Sequence, residues 1–154
     1  MQPLPHYYEV TAMANQHGHM EVTSKGLMPL VSAPPAEFDG PGDLWSPETL
    51  LMAAAADCFV LTFRAIANMS KLCWTSIVCD AKGTLDRSDG VMRFTSIQLY
   101  ARLLLPAGTD EEKAQKVLEK AHKSCIVGNS LKFEPTLNGE ITVEEPALAL
   151  APSA

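Results

Sequence analysis

The chain has 154 residues, of which 47% are hydrophobic and 19% charged, which suits one domain with a substantial buried core. Eighteen acids against twelve Lys and Arg give a net charge of -6, so counterion release offers no drive toward nucleic acid or an anionic membrane surface. Aromatics are only 6%, which leaves the core to Ala, Leu, Val, Ile and Met, and the excess acids read as spread along a solvated surface.

In chain order, Tyr7 to Ala14 alternates loosely and predicts a strand. A His17-Gly18-His19 turn follows, then strands over Met20 to Ser24 and Leu27 to Val31. Ser32 to Trp45 carries Pro34-Pro35 and Asp39-Gly40-Pro41-Gly42 and predicts a loop long enough to cover a site. Ser46-Pro47-Glu48 starts a helix: Ser46 caps, Pro47 needs no partner for a missing donor, and Glu48 suits the positive dipole end. The helix runs to about Met69 and reads as apolar almost all round, which predicts a central helix enclosed by protein. Its longest apolar run, Leu50 to Phe63, contains Asp57 and is short for a membrane span.

Thr75 to Leu85 and Met92 to Leu105 read as strands joined at Ser88-Asp89-Gly90, with Ile97, Leu99, Ala101 and Leu103 sharing one face. Thr109 and Glu112 have capping-box spacing. Ala114, Val117, Leu118, Ala121 and Cys125 then mark the buried stripe of an amphipathic helix. Ile126 to Ser130 reads as a turn and Thr136 to Glu144 as a closing strand. The order predicts an α+β domain built on antiparallel pairing, spanning 1–145, with a disordered Pro/Ala tail at 146–154. Met1 to His6 shows no signal-peptide pattern, which predicts a cytoplasmic location and thiols rather than structural disulfides.

Four cysteines show neither a CxxC pair nor zinc spacing, so no metal or other cofactor is expected. Cys58 lies in the apolar helix and Cys125 at the end of the amphipathic one. Each reads as well as a small core residue as a reactive thiol, and a gap of sixty-seven residues does not say whether they meet. Glu48 precedes Cys58 by ten residues, about 15 Å along a straight helix, so any service to Cys58 must come from a second chain. Cys73 and Cys79 flank Trp74 at an even spacing that predicts two core residues on one strand face. His122, near a helix C-terminus, reads as a surface cation, and His17 and His19 have no visible partner.

Two segments carry a resemblance. Ser46-Pro47-Glu48, the Leu- and Ala-rich stretch after it, and Cys58-Phe59 resemble the signature of the OsmC/Ohr family of thiol peroxidases. Cys125-Ile126-Val127-Gly128-Asn129-Ser130-Leu131 resembles that family's second motif, usually Cys-Pro-Val-Ser-Asn-Ser-Leu. The resemblance implies an OsmC-like fold, an intertwined homodimer whose antiparallel sheets wrap two long central helices, with active sites at the subunit interface. It implies that Cys58 is the peroxidatic cysteine, Cys125 the resolving one and Glu48 an orienting carboxylate. It further implies organic hydroperoxides as substrates and a dithiol reductant, of lipoyl type in some members. Nucleic acid and membrane partners are not expected. One departure stands out: Ohr-type members carry an Arg in the early Gly-rich turn, whereas no Arg here precedes Arg64 and His17 takes the matching place. A neutral imidazole stabilises a thiolate less than a guanidinium does. The departure points to a divergent OsmC-like branch and keeps an alternative open, a non-catalytic small-ligand-binding or redox-sensing module.

Overall fold

A computed structural model of the chain describes residues 2–145, so the expected tail at 146–154 lies outside the described residues. The chain divides into two compact units, Met1–Leu51 and Met52–Ala154.

The first unit holds an antiparallel meander of β1 (Thr11–Met13), β2 (Met20–Thr23) and β3 (Leu30–Ser32), in that order. The strands are shorter than the sequence predicts, because glycine turns with positive φ at Gly18 and Gly26 bracket β2 closely. The long loop is stitched at its ends: Ser32 bridges Trp45, and the Ala33 N–H donates to the Trp45 carbonyl at 2.9 Å. One 3-10 turn, Ala36–Phe38, interrupts it. Ser46 caps α1 (Pro47–Ser70) as expected, accepting from the Thr49 N–H at 3.2 Å, while its own N–H donates to Thr49 Oγ1 at 2.8 Å. Two otherwise orphaned donors are thereby satisfied. The charge is not spread along the chain as expected. Residues 1–51 carry six carboxylates and one lysine, which is five of the six net negative charges.

The second unit packs α1 from Met52 onward with α2 (Glu111–Ser124) against a sheet of β4 (Ser76–Ser88), β5 (Val91–Leu105) and β6 (Thr136–Val143). Asp89 and Gly90, both with positive φ, close the β4–β5 hairpin in two residues, the geometry that matches strand twist. Ile97, Leu99, Ala101, Leu103 and Leu105 alternate inward and are buried with Phe59, Phe63 and Leu118. Each large side chain fully buried there contributes about 1.5–3 kcal/mol.

Four expectations need correction. The sheet is mixed, since β6 runs parallel to β5 and α2 forms the crossover that parallel neighbours require. The helix α1 is not enclosed: Ala55, Phe59, Phe63, Ile66 and Ala67 are buried, whereas Asp57, Leu61, Arg64 and Asn68 form an exposed stripe along its back. Its 24 residues would be long and apolar enough to cross a membrane by length and composition, but that stripe and the packed face are those of a core helix. The cap of α2 is Asp110, one residue beyond Thr109, its carboxylate accepting from the Lys113 N–H at 3.0 Å. Cys73 is exposed and precedes β4, so it does not share a strand face with the half-buried Cys79.

Candidate active site

Cys58 lies half-buried on α1, and Cys125 is 2% exposed at the junction where α2 ends and a four-residue helix, α3 (Ile126–Asn129), begins. The stretch expected as a plain turn is therefore helical, with Cys125 as its cap. The Val127 N–H donates to Cys58 Sγ at 3.5 Å, and the Gly128 N–H donates to Cys125 Sγ at 3.5 Å. Adjacent backbone donors of one turn thus hold the two sulfurs, and the Cys58 side chain lies against that of Cys125. Both are free thiols. The crossover through α2 returns its last turn to the core face of α1, which closes the sixty-seven-residue gap.

Burial raises the Cys125 thiol above its ordinary value; the Gly128 N–H opposes this and the adjacent Cys58 adds to it. Cys79, on the inward face of β4, is pushed up to about 11, first by burial and then by Asp80, with a smaller contribution from Cys125. Backbone donors at Val127 and Gly128 were not foreseen from sequence, because Cys is outside the usual set of capping residues and leaves α3 unmarked. Gly128 is not forced by space: a Cβ there would meet Cys125 at 3.6 Å, ordinary contact, and Ile126 is exposed.

Glu48 belongs to the first unit, in the first turn of α1. Its Oε2 is buried and has no hydrogen-bond partner among the described residues. It lines a cavity of about 560 Å³ whose other walls are largely apolar. His17 and His19 are exposed in the β1–β2 turn. His122 is not a free surface cation; it is half-buried, with Nε2 2.8 Å from the Pro135 carbonyl, which ties α2 to the segment leading into β6.

A family model described as OsmC-like protein matches residues 40–140, most of the chain and both cysteine segments. The chain belongs to the OsmC-like family. The OsmC-like chain is 25% identical over 141 residues to YmaD of Bacillus subtilis, an uncharacterized protein, covering 90% of this chain and 93% of that one. It is 31% identical over 96 residues to peroxiredoxin OsmC of Escherichia coli, covering 62% of this chain and 66% of that one. Among solved structures, an organic hydroperoxide resistance protein from Legionella pneumophila superposes with a TM-score of 0.71 at 25% identity, covering 92% of this chain and all of that one. The α+β OsmC-like fold, with three α-helices and two sheets among the described residues, is therefore that of this chain.

Proposed function

We propose that this chain is a thiol peroxidase that reduces organic hydroperoxides through Cys58 and Cys125, and that residues 1–145 act as one OsmC-like domain within a cytoplasmic homodimer. The observation that carries the reading is the meeting of two free thiols on adjacent amides of one helical turn. The names of the relatives support the same chemistry, since one is a peroxiredoxin and another an organic hydroperoxide resistance protein.

The Cys58 thiolate attacks the outer oxygen of the hydroperoxide, the O–O bond breaks, and the alkoxide takes a proton and leaves as an alcohol. The sulfur is left as a sulfenic acid. Cys125, as its thiolate, then attacks the Cys58 sulfur and expels hydroxide, which leaves as water once protonated, to form the Cys58–Cys125 disulfide. An external dithiol of lipoyl type reduces that bond by exchange. The Val127 N–H sits on the sulfur that carries negative charge before attack. Glu48 is supplied by a second copy as an orienting carboxylate.

The test is direct. Reduced protein exposed to cumene hydroperoxide should form the Cys58–Cys125 disulfide within seconds, Cys58→Ser should not react, and Cys125→Ser should stop at the sulfenic acid. Peptide mapping that finds both thiols intact after excess peroxide overturns the proposal.

A further inference from the structure

A separate cleft of about 370 Å³ opens in the second unit, walled by Lys123, Gly128, Asn129, Lys132 and Phe133 among others. It is formed by the end of α2, by α3 and by the segment leading into β6. Neither Cys58 nor Val127 stands in this wall, but Gly128 does, and its N–H is the one bonded to Cys125 Sγ. The cleft therefore lies on the Cys125 side of the sulfur pair. Glycine inside a helix costs about 0.5–1 kcal/mol relative to alanine, and neither usual reason for one holds at 128. Its φ is not positive, and a Cβ would meet Cys125 Sγ at 3.6 Å and Pro135 Cγ at 3.8 Å, both ordinary contacts. What the missing side chain leaves is an opening between Pro135 and a cysteine that is otherwise buried. The cleft also carries charge. Lys123 and Lys132 are exposed in its wall against one acid, Glu134, in a chain of net charge -6. Neither lysine is in an ion pair among the described residues.

From the glycine, the cleft and its lysines we propose that a reducing dithiol with an anionic tail enters here and attacks the Cys125 sulfur of the Cys58–Cys125 disulfide. The inference rests on the proposed peroxidase reading and deepens it, by naming the sulfur attacked, the side of approach and the charge of the reductant. One thiolate of the dithiol bonds to Cys125 Sγ, the bond between the two protein sulfurs breaks, and Cys58 departs as a thiolate toward which the Val127 N–H already points. The second thiol, once deprotonated, attacks the dithiol's own sulfur in the mixed disulfide and expels Cys125 as a thiolate. The dithiol leaves as a cyclic disulfide, and the two protein thiolates take up the two protons it gave. The lysines draw the tail and stabilise the attacking thiolate.

The test starts from the disulfide itself, made in the full-length protein with diamide, which oxidises paired thiols directly. Peroxide that leaves the thiols intact where diamide oxidises them ends the peroxidase reading and leaves the following measurements standing. Dihydrolipoate, which carries a carboxylate, should reduce the bond about threefold faster than neutral dihydrolipoamide at low ionic strength, and added salt should remove the difference. Lys123→Met combined with Lys132→Met should bring the two rates together. Once the bond has formed, Gly128→Leu should slow its reduction by both dithiols about tenfold, because access limits exchange. Gly128→Ala, which helix propensity favours, should slow reduction less and cost no thermal stability, which separates a blocked approach from a damaged fold. Brief exposure to 3-mercaptopropionate followed by iodoacetamide should leave the mercaptan on Cys125 and the carbamidomethyl group on Cys58. The reverse assignment, unchanged reduction rates in both Gly128 variants, or equal rates for the two dithiols in the wild type each overturns the proposal.

Discussion

Cys79 shows how a thiol near the pair differs from its members. It sits on the inward face of β4, where its Sγ donates to the Asp80 carbonyl at 3.9 Å and accepts from no backbone N–H among the described residues, and it is pushed up to about 11 by burial and by Asp80. A thiol whose folded value exceeds its unfolded one, here 9.0, holds its proton more tightly in the native state. Its contribution to stability is fully present below pH 9.0 and is lost as pH rises to about 11. Cys79→Ala should therefore lose less stability than the wild type between pH 8 and pH 11, read as the shift in urea midpoint. An equal fall in both proteins would refute the assignment. At this scale the sequence names the right residue types and leaves their meeting open. Cys58 and Cys125 are visible as candidates, but only the crossover through α2 brings the Cys125 turn to Cys58 on α1, so that both sulfurs meet the amides of that turn. The Val127 and Gly128 donors are backbone groups, which no side-chain pattern reveals.

At the scale of elements, most starts and stops follow from local chemistry, and the failures come where two caps compete or where pairing is long-range. Thr109 and Asp110 both precede α2, and both can accept from an amide three residues on. The structure gives the cap to Asp110, whose carboxylate bonds the Lys113 N–H and also meets the positive helix end. Asp110→Ala should cost about 1 kcal/mol of stability. Thr109→Ala should cost clearly less in the same denaturation measurement, and the reverse order would restore the cap that spacing alone suggests. The parallel placement of β6 is of the other kind. Its alternation of Leu137, Ile141 and Val143 marks a strand with one inward face, but not the direction of its neighbour. Direction is set by the length of the connection: the β5–β6 link contains a whole helix, long enough to cross over, and that length is legible in the sequence once it is weighed.

The whole chain leaves more apolar surface bare than its core explains. On α1, Leu61 and Met69 are 45% and 72% exposed, on the side away from Phe59 and Phe63. In the first unit Tyr7, Tyr8 and Met28 are likewise exposed. Soluble monomers seldom present large contiguous apolar patches, and each covered patch is favourable by roughly 25 cal/mol per Å². The sequence suggests an enclosed α1, and within one chain half of that enclosure is missing; a second copy would complete it, as the homodimer of the proposed function requires. The polar members of the exposed stripe, Asp57, Arg64 and Asn68, would then lie in or beside the interface, where they fix register more than they add affinity. Sedimentation equilibrium at micromolar concentration should give twice the 16.6 kDa chain mass. Leu61→Glu and Met69→Glu should each shift the population toward monomer by burying an unpaired charge, with the second unit's fold retained by circular dichroism. Wild-type protein that sediments at the mass of a single chain would show that this stripe faces water, and the second-copy role of Glu48 would fall with it.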